Sequence, residues 1–145
     1  IYNNLLSLQK RKEMASKIST DIASVVDVTA RRNDSFYLKV ELKNTDGGIY
    51  NIIDSDSNNY DAFFQIYDAN DVLILGFISG TDSVAANKNT TITINGSSGL
   101  LEINALASDM AIRSGSYKYK FYVKASNTDN VTNTVMVGKF KVVDI

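Results

Sequence analysis

Any reaction run by this chain has to be oxygen chemistry, because its 145 residues include no His and no Cys. That removes cysteine proteases, Cys/His zinc sites, iron-sulfur clusters and Ser-His-Asp triads. The best-spaced oxygen ligands are Asp54, Asp56 and Asn58, which match the first three positions of an EF-hand loop. The match then fails twice, with Asn59 where the turn needs Gly and Gln65 where a bidentate Glu belongs. This stretch reads as a solvated acidic loop, with a calcium loop of another kind as the lesser alternative, and no metal ligand is assigned. A glycosidase needs two carboxylates facing each other across a cleft. The 16 acidic residues fall in loops or at solvent-facing strand positions, and no spacing marks a pair. The expectation is a protein that is not an enzyme and needs no cofactor. Tyr60, Phe63, Phe64, Tyr67 and Phe77 supply the aromatics that a sugar-stacking platform would use, although a packed core accounts for most of them. Sequons for N-glycosylation begin at Asn33, Asn89, Asn95 and Asn130, each in or beside a predicted loop, and hint at a glycosylated exterior.

The elements that must position these residues follow from composition and period. Lys and Arg number 15 against 16 Asp and Glu, so the net charge of -1 gives no electrostatic case for a nucleic-acid partner. With 44% apolar and 21% charged residues, one packed domain is expected. No apolar run reaches the ~18 residues of a membrane span. The chain begins at Ile1 without Met, from which we expect an original N-terminus, and any anchor, to have preceded it. Residues 1–18 carry Ile1, Leu5, Leu8 and Ala15 at three- and four-residue spacing interrupted only by Lys12, which predicts an amphipathic helix with a narrow stripe, suited to a stalk, a self-association seam or a remnant next to a missing membrane anchor.

After Ser19 the period changes to two, and residues 19–145 read as a sandwich domain. Ile22, Ser24, Val26, Val28 and Ala30 share one face of a first strand. Phe36, Leu38, Val40 and Leu42 point inward from a second, leaving Tyr37, Lys39, Glu41 and Lys43 outward. Residues 61–68 and 72–79 form a hairpin, 91–95 and 99–103 are short strands, and 104–112 can hold one helical turn. The clearest strand places Tyr117, Tyr119, Phe121 and Val123 on one face and Lys118, Lys120, Tyr122 and Lys124 on the other. A slip of one residue would push lysines into the core. Seven to nine short strands with no long internal helix predict an all-β, immunoglobulin-like antiparallel β-sandwich. Tyr117 or Tyr119, soon after Ser114-Gly115, stands where such folds keep a tyrosine corner.

Charge is unevenly spread: residues 1–43 balance to +3, residues 44–112 to -8 and residues 113–145 to +4. If the late basic strands share a sheet with the early one, the molecule is two-faced and suited to charge-matched contacts. Solvent-facing Tyr beside Lys is typical of interface patches. One of two rows, Tyr37-Lys39-Glu41-Lys43 or Lys118-Lys120-Tyr122-Lys124, is therefore expected to form part of a partner surface.

The order of parts also resembles a known family. A helical lead-in is followed by Ile18-Ser-Thr-Asp-Ile22, the stretch Phe36-Tyr-Leu-Lys-Val-Glu-Leu-Lys-Asn-Thr-Asp-Gly-Gly-Ile49, and then Asp61-Ala-Phe-Phe-Gln-Ile66. Gly115-Ser-Tyr-Lys-Tyr-Lys-Phe-Tyr-Val123 and Phe140-Lys-Val-Val143 close the series. This sequence resembles the archaeal flagellin-like family, whose members include accessory (stator) proteins of the archaellum and filament subunits. It departs from the pattern in Glu41-Leu-Lys-Asn44, in the acidic insertion at 54–59, and in lacking the family's hydrophobic N-terminal helix. The resemblance implies a membrane-anchored, extracellular (pseudoperiplasmic) domain that dimerises, contacts S-layer protein and other archaellum components, and steadies the filament. A filament subunit lacking its core helix is the nearest alternative, and a carbohydrate-binding or phage-tail sandwich module is another.

Overall fold

A computed structural model describes residues 24–43, 60–95, 99–125 and 132–144, and these hold ten strands, most of them in the period-two stretches. They are β1 (Ser24–Val25), β2 (Val28–Arg31), β3 (Phe36–Glu41), β4 (Tyr60–Tyr67), β5 (Leu73–Ile78), β6 (Asn87–Lys88), β7 (Ile92–Asn95), β8 (Leu100–Ala105), β9 (Gly115–Ala125) and β10 (Thr132–Val143). The predicted helical turn appears as a 3-10 turn at Ala107–Met110. The helix expected over 1–18, the acidic residues 54–59 and the sequon at Asn130 lie outside the described residues.

The all-β reading holds. One sheet runs β1-β10-β9-β4-β5-β6, with β2 also paired to β10, and a second runs β3-β8-β7. The expectation of purely antiparallel pairing does not hold, because β1 and β2 run parallel to β10, and β6 runs parallel to β5. Alternation reports which face a side chain occupies and is blind to strand direction. β1 and β2 meet β10 only after a long excursion of the chain, and β6 follows β5 after eight residues, so no hairpin turn marks a direction in either case.

Burial follows the alternation. On β9 Tyr119, Phe121 and Val123 are buried, and Lys118, Lys120, Tyr122 and Lys124 take the other side, as the register argument requires. Phe36 reaches from the small sheet into Phe64, Phe77 and Phe140 of the large one, at ring separations of 6.3, 6.0 and 5.5 Å. Phe64 in turn stacks on Tyr119 at 4.7 Å. The two sheets therefore share one aromatic core.

The first strand is not continuous as expected; it breaks at Val26-Asp27, where three bonds hold the kink. Val26 N–H donates to Val137 O (2.9 Å), the buried Tyr119 hydroxyl donates to Val26 O (2.5 Å), and Lys139 N–H donates to Asp27 Oδ1 (3.0 Å). Opposite the kink stands Gly138, where an added Cβ would overlap the Val26 carbonyl. Tyr117, the other candidate, donates its hydroxyl to Arg113 O and closes the turn that leads into β9.

Candidate functional site

The eight residues singled out as partner-binding all lie on outward strand faces, but the structure divides them between the two sheets and so between opposite sides of the molecule. Tyr37, Lys39, Glu41 and Lys43 are on the small sheet, and Lys118, Lys120, Tyr122 and Lys124 are on the large one. The two rows also differ in how they are satisfied.

On the small sheet, Tyr37 and Lys43 meet partners of their own chain, and Lys39 faces an acid across the ladder. Tyr37, 57% exposed, donates to Glu102 Oε2 at 2.6 Å, and this bond to a carboxylate holds its hydroxyl proton above the usual phenol range. The register sets Lys39 directly opposite Glu102, and Lys43 Nζ lies 3.4 Å from Glu41 Oε1. This face is close to charge-balanced.

On the large sheet, the row built on β9 joins an aromatic cluster. Tyr122 pairs across the ladder with Phe63 of β4, and their rings stack at 4.9 Å with an interplanar angle of 14°. One step along, Gln65 receives the hydroxyls of both Tyr67 (2.8 Å) and Tyr122 (3.2 Å) on its Oε1. Burial pushes both phenols up, and for Tyr122 the neighbouring Tyr67 adds to the effect. Lys120 Nζ hangs 5.2 Å from the centre of the Tyr122 ring, within cation–π range. Val137 stands beside Lys120, with Val25, 77% exposed, at the sheet edge beyond it. The outcome is a half-buried aromatic band, with its own hydroxyls tied together, facing outward from the sheet.

The hypothetical sugar platform comes apart. Phe64 and Phe77 are fully buried and Tyr60 packs against the core, leaving Phe63 and Tyr67 on the outer face. The contributions of Gln65, Lys139 and Lys141 to that face were missed. Their signal was present in the alternation of Asp61-Phe63-Gln65-Tyr67 and of Lys139-Lys141, but only the pairing of β4 and β10 with β9 shows that these residues share a surface.

The two-faced charge expectation is corrected in one respect. The early strand β3, with its Lys39 and the following Lys43, pairs with β8 in the small sheet and not with β9 and β10 among the described residues, while β4 of the acidic middle, with Asp61, lies beside β9 in the large one. Among those residues no group of three or more Asp or Glu is placed to hold a metal ion, and no helix is long and apolar enough to cross a membrane.

No family model and no curated protein matches the chain. Among solved structures it is similar to part of a family 123 glycoside hydrolase from Clostridium perfringens, with a TM-score of 0.44 and 15% identity, over 90% of this chain and 24% of that one. The chain thus spans about a quarter of that chain's length.

Proposed function

We propose that this chain is a non-catalytic binding domain whose partner docks on the outer face of the large sheet, around Tyr122, Phe63, Gln65 and Tyr67. The observation that carries this reading is the aromatic cluster itself. A solvated sheet face has no need of stacked rings and two phenols bridged by one amide, whereas aromatic side chains with low conformational freedom are what interface cores are made of. The setting we propose is the one the sequence resemblance implies. The domain is the extracellular part of an archaellum accessory protein, nearest to protein F, with protein G or a filament subunit as the alternatives. In this reading an upstream membrane segment and an S-layer contact together make it a stator-like tether.

For the fold we propose an immunoglobulin-like sandwich. Supporting it are the order β10-β9-β4-β5 facing β3-β8-β7, the edge strand split between β1 and β2, and the Tyr117 hydroxyl that returns to the backbone four residues earlier. A sugar-binding module is less well served. Phe63 and Tyr122 each spend one ring face on the other, where a sugar platform presents ring faces to the ligand.

Co-sedimentation with isolated archaeal S-layer protein tests the reading. Wild-type chain is expected to pellet with the S-layer, and F63S/Y122S to remain in the supernatant with an unchanged circular dichroism spectrum. Failure of the wild type to pellet, or equal pelleting of a folded F63S/Y122S, overturns it. Sedimentation velocity of the free chain at several concentrations reads the homodimer that the resemblance implies.

A further inference from the structure

Resting on that reading of the large sheet's outer face, we infer that the partner presents an acidic protein surface, met by Lys118 and Lys120 of β9 and Lys139 and Lys141 of β10. The register places Lys118 directly opposite Lys139, Lys120 opposite Val137 and Lys141 opposite Ser116, with all four lysines exposed on the same side. Like charges directly opposite one another destabilise an antiparallel pair. A solvated face needs only polarity there, which Thr or Ser would supply without the repulsion.

The described residues supply little to neutralise this group. Asp71 lies 2.5 Å from Lys118 Nζ, but both side chains are more than half exposed, so the pair is weak. Asp27 gives its Oδ1 to the backbone N–H of Lys139 and is committed to the strand kink. Lys120 leans over the Tyr122 ring. The contrast lies in what stands across the ladder: Lys39 of the small sheet faces Glu102 and Lys124 at the far end of β9 faces Asp61, whereas Lys118 faces Lys139.

Hydrogen-bonding capacity points the same way. Ammonium groups only donate, and the Gln65 carbonyl that would accept is already occupied by two phenols. A donor-rich face fits a partner rich in carboxylate acceptors. That partner is a protein surface and not an anionic glycan, because Val25 and Val137 add an aliphatic contact beside Lys120 that a carboxylated sugar would leave unused.

The test is fluorescence anisotropy of a labelled deca-glutamate peptide with the folded chain at low salt. Binding that weakens as salt rises is expected, together with an affinity about five-fold lower for K139Q/K141Q and little changed for K39Q/K43Q. No binding at low salt overturns the proposal, as does an equal loss in K39Q/K43Q, which would report net charge alone. Tighter binding of polygalacturonate, or of vesicles of equimolar phosphatidylglycerol and phosphatidylcholine, overturns the assignment to a protein. The docking face and the charge of its partner are separable: S-layer binding lost in F63S/Y122S but kept in K139Q/K141Q retains the face and removes the acidic partner.

Discussion

Tyr119 and Tyr122 are three positions apart on one strand and do unlike things because of the side each occupies. Tyr122 faces outward and shares the Gln65 carbonyl with Tyr67, whereas Tyr119 is buried and its hydroxyl is spent on the Val26 carbonyl. Removing that hydroxyl in Y119F leaves the ring stack on Phe64 in place and deletes one hydrogen bond, so a loss of about 1 kcal/mol is expected in urea denaturation near neutral pH. The alkaline side carries a second signature. Burial, and then the Asp27 carboxylate, raise the Tyr119 phenol above its ordinary value of 10.0. Above about pH 10 the unfolded chain releases this proton while the folded chain keeps it, so folding stability is complete below that pH and falls as pH rises through it. In Y119F this part of the alkaline loss is expected to disappear, so that the two stability curves converge as pH rises. Parallel curves would show that Tyr119 does not titrate across unfolding.

At the scale of elements, the faces of the strands were legible and their partners were not. The alternation in residues 115–125 gave the register of β9 because an error of one residue would bury lysines, and the same logic gave β3, β4 and β5. Nothing local says that β1 and β2 return alongside β10, since their pairing is parallel and non-local. The break between β1 and β2 was hidden for the same reason: Val26 continues the apolar alternation, and its carbonyl is turned aside by Tyr119 and admitted by Gly138, more than ninety residues away. β6 was missed because two residues carry no period. It is fixed by Asn87, only 8% exposed, which donates to Asp82 Oδ2 at 3.0 Å and lies over Gly76. The kink makes a paired prediction. In G138A the new Cβ meets a backbone carbonyl that cannot yield without pulling β1 from β10, so a loss of about 1–3 kcal/mol is expected. In G80A the nearest atom is Asp61 Oδ1 at 3.6 Å, an ordinary contact, and stability is expected to stay within about 0.5 kcal/mol. Equal effects in the two variants would remove the special role of Gly138.

For the whole molecule, the uneven charge along the chain was visible but its spatial partition was not, since that depends on which sheet β3 joins. What the sheets share is the aromatic core, and this decides how the molecule comes apart. Among the described residues the small sheet has three strands, and its Phe36 is buried among Phe64, Phe77 and Phe140 of the large sheet. Separating the sheets exposes those four rings together, so neither sheet retains a buried face of its own, and a three-stranded sheet without one has no independent stability. Unfolding should therefore be a single transition. The chain has no Trp, and its tyrosines report on both layers: Tyr37 sits on the small sheet, and Tyr67, Tyr119 and Tyr122 on the large one. Tyrosine fluorescence and far-ultraviolet circular dichroism are expected to give coincident urea curves with one midpoint. Replacing Phe36 with Ala, at a cost of about 3–5 kcal/mol, should shift both curves together. A fluorescence transition that precedes the circular dichroism change, in wild type or in F36A, would mean that one sheet outlives the other and that the shared core does not couple them.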